Sequence, residues 1–309
     1  MQDYSQVSPD EVLEGDLRAL VRLSIAEDLR QGVDWTTVCL IDVDRQGGCE
    51  IVPRGAGICA GIAVLPWIVD EFDADLTVEC LVTDRDRLIP GQPIARLEGN
   101  VRDLLTSERT ILNMLSRLCG IATLTSCFVS ELAGTPTRLY YTRKTTPGWR
   151  LLEKYAVRCG GGHNHRSGLY DGFLIKDNHL ALGGDDLAPL SPRTAASRAL
   201  AWRGGTVENM VAPSLVEIEV DCLSQLLDVL PAGPDIVLLD NFSPDELRQA
   251  VAARDQHQSS VQLEASGNVG IDTIAEIAAT GVDRISSGAL THQATSLDLG
   301  LDWFDAKAT

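Results

Sequence analysis

Apolar positions along this 309-residue chain repeat with two different periods, and the change from one to the other divides it. In the first third the periods are mixed. Leu17, Leu20, Val21, Ser24 and the run from Ala26 to Leu29 fit a helix, whereas residues 76–82 alternate as a half-buried strand does. Pro90-Gly91 marks a turn before a second strand-like stretch at 94–97. From Asp103 to about Leu132, the positions of Leu104, Leu105, Ile111, Leu112, Leu115 and Leu118 predict one long helix, with Gly120 as a candidate break. Such a helix is a natural bridge between domains.

Beyond it, short apolar runs alternate with helical stretches. Residues 139–142 precede a helix from Trp149, and 173–175 precede one near 193–202. The pattern continues with 216–220 before 224–230, 236–239 before 244–253, and 261–265 before 272–279, and a last run at 284–286 ends at Gly288. Six strands alternating with helices predict a parallel sheet, closed or nearly closed as a barrel.

Composition narrows the class. With 44% hydrophobic and 23% charged residues the chain belongs with packed globular proteins. Residues 1–16 are acidic and polar, unlike a secretory signal, and the apolar stretch at 58–69 is too short to span a bilayer. A cytoplasmic protein without a membrane partner is expected. The eight cysteines (39, 49, 59, 80, 119, 127, 159, 222) form no C-x-x-C pair and read as small buried residues. A net charge of −18 disfavours nucleic acid. Residues 138–176 reverse that sign locally, with eight Lys or Arg against two acids, a local +6. A cationic pocket in an acidic body points to a small, highly charged anion.

In a β/α barrel the chemistry lies at the C-terminal strand ends. There the sequence places Arg143-Lys144, Lys176, Glu219, Asp240, Ser266-Gly267 and Ser287-Gly288. Ser266-Gly267-Asn268 and Ser287-Gly288-Ala289 precede helical segments and suit phosphate, although ordinary glycine turns look the same. Glu219 and Asp240 suit a Mg²⁺ ion that escorts a pyrophosphate, or else simply neutralise the lysines. Glu217 and Asp221 share the Glu219 face by the period of two, so alternation leaves open which acid meets the ligand. Arg143, Arg166 and His165 offer donors suited to carboxylates.

These residues sit in motifs that resemble a known family. The stretches T-R-K-T-T-P-G (142–148), E-K-Y-A-V (153–157), G-G-G-H-N-H-R (160–166), L-I-K-D-N-H (174–179), L-D-N (239–241) and G-A-L-T-H (288–292), with E-D-L (27–29) and S-E-R-T (107–110), are similar to those of quinolinate phosphoribosyltransferase. The likeness runs from about Leu17 to Trp303; Trp35 and Trp149 depart from it. The resemblance implies an N-terminal α/β sandwich over 1–133, an incomplete parallel β/α barrel over 134–292, and a tail over 293–309 that returns to the first domain. It also implies transfer of phosphoribosyl from phosphoribosyl pyrophosphate to quinolinate with Mg²⁺, giving nicotinate mononucleotide, CO₂ and pyrophosphate. By the same likeness Arg109, Arg143, His165, Arg166 and Lys176 would surround quinolinate, and Thr142 would join the substrate-binding residues. Lys144, Glu219 and Asp240 would handle phosphoribosyl pyrophosphate and its metal, making Lys144, Lys176, Glu219 and Asp240 the catalytic set. Ser266, Gly267, Asn268, Ser287, Gly288 and Ala289 would hold phosphate, with His292 at the same rim.

Arg109 has Leu105, Thr106, Leu112 and Asn113 as its helical neighbours, none of them acidic, so its partner is expected elsewhere. The resemblance implies that it reaches quinolinate in the other subunit of a homodimer. Two other readings compete: a paralogue associated with molybdenum transport, and a non-catalytic sensor of phosphorylated metabolites. The paired arginines with His165 favour quinolinate over the first. The joint presence of Lys144, Lys176, Glu219 and Asp240 argues against the second.

Overall fold

The structure is a computed structural model that describes residues 3–184 and 188–304. Two compact units interleave along the chain. One comprises Val7–Ser126, Thr145–Gly161 and Leu290–Thr309; the other comprises Met1–Gln6, Cys127–Lys144 and Gly162–Ala289. The division therefore differs from cuts at 133 and 292. Residues 145–161 group with the first unit, and the start of the chain groups with the barrel.

Helices α1 (Glu11–Leu29) and α2 (Trp35–Leu40) open the first unit, followed by strands β1 (Gln46–Pro53) and β2 (Gly57–Ile58). Then come α3 (Leu65–Glu71), β3 (Leu76–Cys80), β4 (Arg87–Leu88), β5 (Ala95–Asn100) and α4 (Val101–Glu131). Asp10 caps α1 by accepting from the N–H groups of Val12 and Leu13, and the buried stripe Leu13, Leu17, Val21 packs the helix toward α3. β1 and β5 pair antiparallel, with β3 beyond β5. Sequence periodicity misses β1, whose Gly47-Gly48 interrupts the alternation, and its outer partner comes from the far end of the chain.

The helix α4 runs unbroken through Gly120. A Cβ at Gly120 would stand 2.0 Å from the Thr295 carbonyl oxygen, so glycine is there to let residues 295–296 approach, not to end the helix. By length and composition α4 is apolar enough to cross a membrane, a feature the 58–69 stretch does not capture. Its Leu104, Ile111, Leu115, Leu118 and Ile121 are buried within the protein, as in a core helix.

The second half continues with β6 (Arg138–Tyr141), α5 (Arg150–Cys159), β7 (Phe173–Ile175), α6 (Asp177–Leu182) and α7 (Pro192–Trp202). A small hairpin, β8 (Thr206–Val207) and β9 (Met210–Val211), precedes β10 (Val216–Val220), α8 (Leu223–Val229), β11 (Ile236–Asp240) and α9 (Pro244–Gln256). The chain ends through β12 (Gln262–Ser266), α10 (Ile274–Ala278), β13 (Arg284–Ser287), α11 (Ala289–His292) and β14 (Leu299–Phe304). β14 pairs antiparallel with β1, setting Leu301 opposite Ile51.

Six strands form one parallel sheet in the order β6-β13-β12-β11-β10-β7. β6 and β7 are not paired to each other, so the barrel is incomplete. Strands β10, β12 and β13 each show two chemistries. Val216, Ile218, Val220, Leu263, Ala265 and Ile285 are the apolar set, and α7, α8, α9 and α10 pack on this sheet. The intervening residues are Glu217, Glu219, Gln262, Glu264, Ser266, Arg284 and Ser286, and they form a polar inner face. All eight cysteines are free, and only Cys49, Cys59, Cys119 and Cys159 are buried; the other four are exposed, which corrects the expectation for half of them.

Two glycines in helices should respond oppositely to alanine. Gly120→Ala forces a methyl group into a backbone carbonyl and should lower stability by about 1–3 kcal/mol or more. Gly15→Ala, with nothing within 4 Å of the new Cβ, should raise it by roughly 0.5–1 kcal/mol. Urea denaturation of both variants checks the pair.

Candidate active site

The C-terminal ends of the barrel strands surround a cavity of about 510 Å³. Thr142, Arg143 and Lys144 enter after β6, Lys176 after β7, Glu219 from β10, Asp240 from β11, Ser266 and Gly267 from β12, and Ser286 from β13, while His165 and Arg166 come from the loop before β7. Most of the expected site therefore converges. Of the eight basic residues in the 138–176 window, Arg143, Lys144, Arg166 and Lys176 line the cavity. Arg138 lies 3.7 Å from Asp3, and Arg158 donates to the Val7 carbonyl.

The glycine-rich loop reaches the cavity by borrowing the free edge of β6. His163 donates its N–H to the Leu139 carbonyl at 2.8 Å, and its carbonyl accepts from Tyr141 N at 3.1 Å. That short parallel bridge delivers Asn164, His165 and Arg166 into the gap beside β6. Lys176 is set by the following helix start, where its backbone N–H donates to His179 Nδ1 at 2.9 Å. Thr142 Oγ1 accepts from the Lys144 N–H at 3.1 Å. The buried Glu153 plays a supporting part: it accepts from Thr146 Oγ1 at 3.0 Å and from Arg117 Nη2 at 2.7 Å, which explains two of the motif residues without giving them chemistry.

On the cationic side of the cavity Arg166 is weakly held. Arg166 is buried, and its Nη1 makes one long hydrogen bond, 3.5 Å, to the Gly172 carbonyl. Its Nε has no hydrogen-bond partner among the described residues. Burial, and then the neighbouring Arg143 charge, hold its pKa below the usual guanidinium value. Two like-charged guanidiniums lining one partly dry cavity suit an anion. On the opposite side Lys176 Nζ pairs with Glu219. Burial raises the Glu219 pKa, Lys176 opposes this, and Asp240 adds to it. Asn241 Nδ2 donates to Asp240 at 2.8 Å, and Asn268 Nδ2 donates to Asn241 Oδ1 at 3.2 Å. Gly267, at φ 93°, leaves room for that amide: a Cβ there would meet Asn241 Oδ1 at 2.2 Å.

Below this rim lies a layer that strand alternation contains but the motifs do not reveal. His165 Nε2 is 3.0 Å from Glu217 and 3.5 Å from Glu264, and Arg284 Nε donates to Glu264 at 2.8 Å. Burial alone would depress the His165 pKa, but Glu217 and Glu264 reverse this and raise it to about 9. Its Nδ1 accepts the Arg166 N–H at 2.9 Å, so the neutral ring carries its proton on Nε2. Burial works against the Glu264 carboxylate, yet His165 and Arg284 bring its pKa down to about 2. His165, Glu217 and Glu264 bring ligand atoms within 4.8 Å of one another, a spacing fit for a cation. Arg284 already serves as counter-ion there. The alternation ambiguity thus resolves by depth: Glu217 is buried in this layer, Glu219 lines the cavity, and Asp221 is exposed beyond the strand.

Several expected residues lie outside the cavity lining. Ser287 is buried, with its Oγ donating to the Val269 carbonyl at 2.8 Å, and Ser286 takes its place on β13. Asn268, Gly288 and Ala289 are not among the lining residues. Arg109 and His292 belong to the other compact unit and are exposed. Arg109 does have an acidic partner, the adjacent Glu108 at 3.3 Å, a position outside its i±3 and i±4 helical neighbours. That solvated pair is a weak one.

Fold and site together define a β/α-barrel protein built to take a polyanion at its strand ends. Residues 34–119 match the family described as quinolinate phosphoribosyl transferase, N-terminal domain, and residues 121–302 match its C-terminal domain. The chain is similar to the nicotinate-nucleotide pyrophosphorylase (carboxylating) of Mycobacterium leprae, 42% identical over 288 residues that cover 92% of this chain and 96% of that protein. It is also similar to a quinolinate phosphoribosyltransferase (decarboxylating) of Nicotiana tabacum, 34% identical, with 93% and 82% covered. Among solved structures, the nicotinate-nucleotide pyrophosphorylase of Francisella tularensis superposes with a TM-score of 0.85 at 36% identity, covering 98% of this chain and all of that one. This chain belongs to the quinolinate phosphoribosyl transferase family.

Arg166→Met removes a buried charge that repels Arg143, so the ligand-free protein should be as stable as the wild type or more so, by about 1 kcal/mol. Thermal melts with and without quinolinate test this. The variant should melt no lower than the wild type and lose the ligand-induced rise.

Proposed function

We propose that this chain transfers the phosphoribosyl group of phosphoribosyl pyrophosphate to quinolinate with decarboxylation, giving nicotinate mononucleotide, CO₂ and pyrophosphate, a step of de novo NAD biosynthesis. The observation that carries the reading is the crowded pair Arg143 and Arg166 beside His165, facing Lys176, Glu219 and Asp240 across one cavity. Planar forks and an imidazole suit the carboxylates of quinolinate. Ser266 and Gly267 line the rim where phosphate is expected.

Displacement of pyrophosphate at the ribose carbon builds positive charge on the sugar, which the carboxylates of Glu219 and Asp240 stabilise. Lys144 and Lys176 stabilise the departing anion. Glu219 and Asp240 also fit a divalent cation, because their mutual repulsion is relieved by one. Mg²⁺ bound there would neutralise the pyrophosphate. Once the ring is ribosylated, its pyridinium charge stabilises the electron pair that departing CO₂ leaves on C2, and a proton from solvent then completes nicotinate mononucleotide, so the chain needs no nucleophile. Arg109, exposed on α4, supplies a further carboxylate contact to the partner site of a homodimer, repeated by the two-fold axis.

Release of CO₂ and pyrophosphate from quinolinate and phosphoribosyl pyrophosphate with Mg²⁺, against nicotinate and nicotinamide as controls, is the direct test; turnover of a control but not of quinolinate would refute the substrate assignment. Asp240→Asn should cut turnover at least about tenfold and shift the Mg²⁺ titration while the fold persists. An unchanged titration and rate would remove Asp240 from that role.

Mixing inactive Arg109→Ala chains with inactive Lys144→Ala chains should restore up to about half the wild-type activity per heterodimer, because one of the two sites then has both residues intact. No recovery after proven subunit exchange would leave Arg109 serving its own chain.

A further inference from the structure

We infer that the start of the chain belongs to the substrate site: Tyr4, held by Asp3 and Gln6, is a positioning residue that sets His165 and Arg166 against the carboxylates of the ring substrate. The inference rests on the quinolinate reading above and adds a residue to it.

The segment enters the barrel from the end opposite the cavity mouth. Tyr4 is buried and clusters with Leu215 and Ile236, which lie at the starts of β10 and β11. Its hydroxyl donates to Glu217 Oε2 at 2.6 Å, and its ring stacks on His165 with centroids 4.5 Å apart and planes at 30°. His165 therefore has Tyr4 on one ring face and Glu217, which Tyr4 also holds, at its Nε2. Glu264 on β12 and, through it, Arg284 on β13 complete the charged groups below the imidazole; Arg166 and Arg143 are the charged groups on the cavity side.

Two further residues of the segment tie it in place. Asp3 accepts from Arg284 Nη1 at 3.0 Å and from Tyr140 Oη at 2.7 Å. Gln6 clasps the backbone of the residue before His165, its Oε1 accepting from Asn164 N at 2.8 Å and its Nε2 donating to Asn164 O at 3.3 Å. Arg166 is reached by a second route. A Cβ on Gly172 would lie 2.8 Å from the Tyr4 ring, and the Gly172 carbonyl is the acceptor for Arg166 Nη1. One side chain thus touches the supports of both ligand-facing groups. A purely structural plug would need an apolar ring and a tight fit, but it would not need a hydroxyl on a carboxylate that already serves the site histidine.

The strength of hydrogen bonds to charged groups sets the expected scale. Tyr4→Phe, which keeps the stack and loses the donor to Glu217, should raise the quinolinate KM and the calorimetric quinolinate Kd by about fivefold to tenfold. Its KM for phosphoribosyl pyrophosphate and its kcat should change by less than about twofold, because the loss falls on ground-state binding of one substrate. Gly172→Ala, which displaces the ring without altering Tyr4, should reproduce the quinolinate effect. Removal of residues 1–6 should exceed it; if that chain does not fold, the two point variants decide. Equal quinolinate binding by folded Tyr4→Phe, Gly172→Ala and wild type overturns the inference alone. Equal losses in both KM values and in the melting temperature also overturn it, since they mark a structural plug. A wild type that binds no quinolinate sinks the functional reading, and this inference with it.

Discussion

A charge inside a protein must be matched there, because the interior cannot screen it. The inner face of this barrel carries Arg284 at 1% exposure, Glu264 and Glu217 at 0%, and His165 at 5%. Their pairing decides much else in the unit. Arg284 lies between Glu264 and Asp3 with its guanidinium 3.6 Å from the centroid of the Tyr140 ring, so it binds β13, β12, β6 and the start of the chain together. None of these groups can be removed singly without stranding its partner, and a buried ion left unpaired costs several kcal/mol, about 3–5. The strands must therefore keep their register, and with it the alignment of the residues one layer above.

The contrast between the two layers makes the site. In the lower layer acids and bases balance closely. In the upper layer Arg166 is crowded by Arg143 and anchored by one long bond to a carbonyl, while Glu219 and Asp240 repel each other across from Lys176. A folded protein tolerates such strain when a ligand relieves it, and the stability withheld in the empty site becomes binding free energy when the anion arrives. The charge-matched layer beneath fixes the strands from which the upper groups project.

His165 belongs to both layers. Its ring reaches the cavity, yet its nearest charged neighbours are the buried carboxylates below, which raise its pKa and hold its orientation. A histidine so placed favours positive charge, with its Nε2 proton turned toward the buried carboxylates and its Nδ1 holding the Arg166 backbone. The residues that give it this character lie 52 and 99 positions further along the chain.

How much of this was legible follows from what each pattern encodes. The barrel was readable because its strands are short and separated by helices: 216–220, 173–175 and the starts at 236 and 284 coincide with the observed strands. The rim was readable because it sits at strand ends, where Arg143, Lys144, Lys176, Glu219, Asp240 and Ser266 project into one cavity. Alternation in V-E-I-E-V, Q-L-E-A-S and R-I-S-S also contained the lower layer, but a polar residue in a strand looks the same whether it faces solvent or a buried partner. Only the closing of the sheet brings Glu264, Arg284 and His165 together. The pairing of β14 with β1, the reason for Gly120 and the place of Tyr4 were beyond any local pattern, since each depends on chain segments more than 170 positions apart. Period and strand-end chemistry are local and were fixed by residue order; which buried charge meets which is a matter of distance in space, and tertiary structure alone decided it.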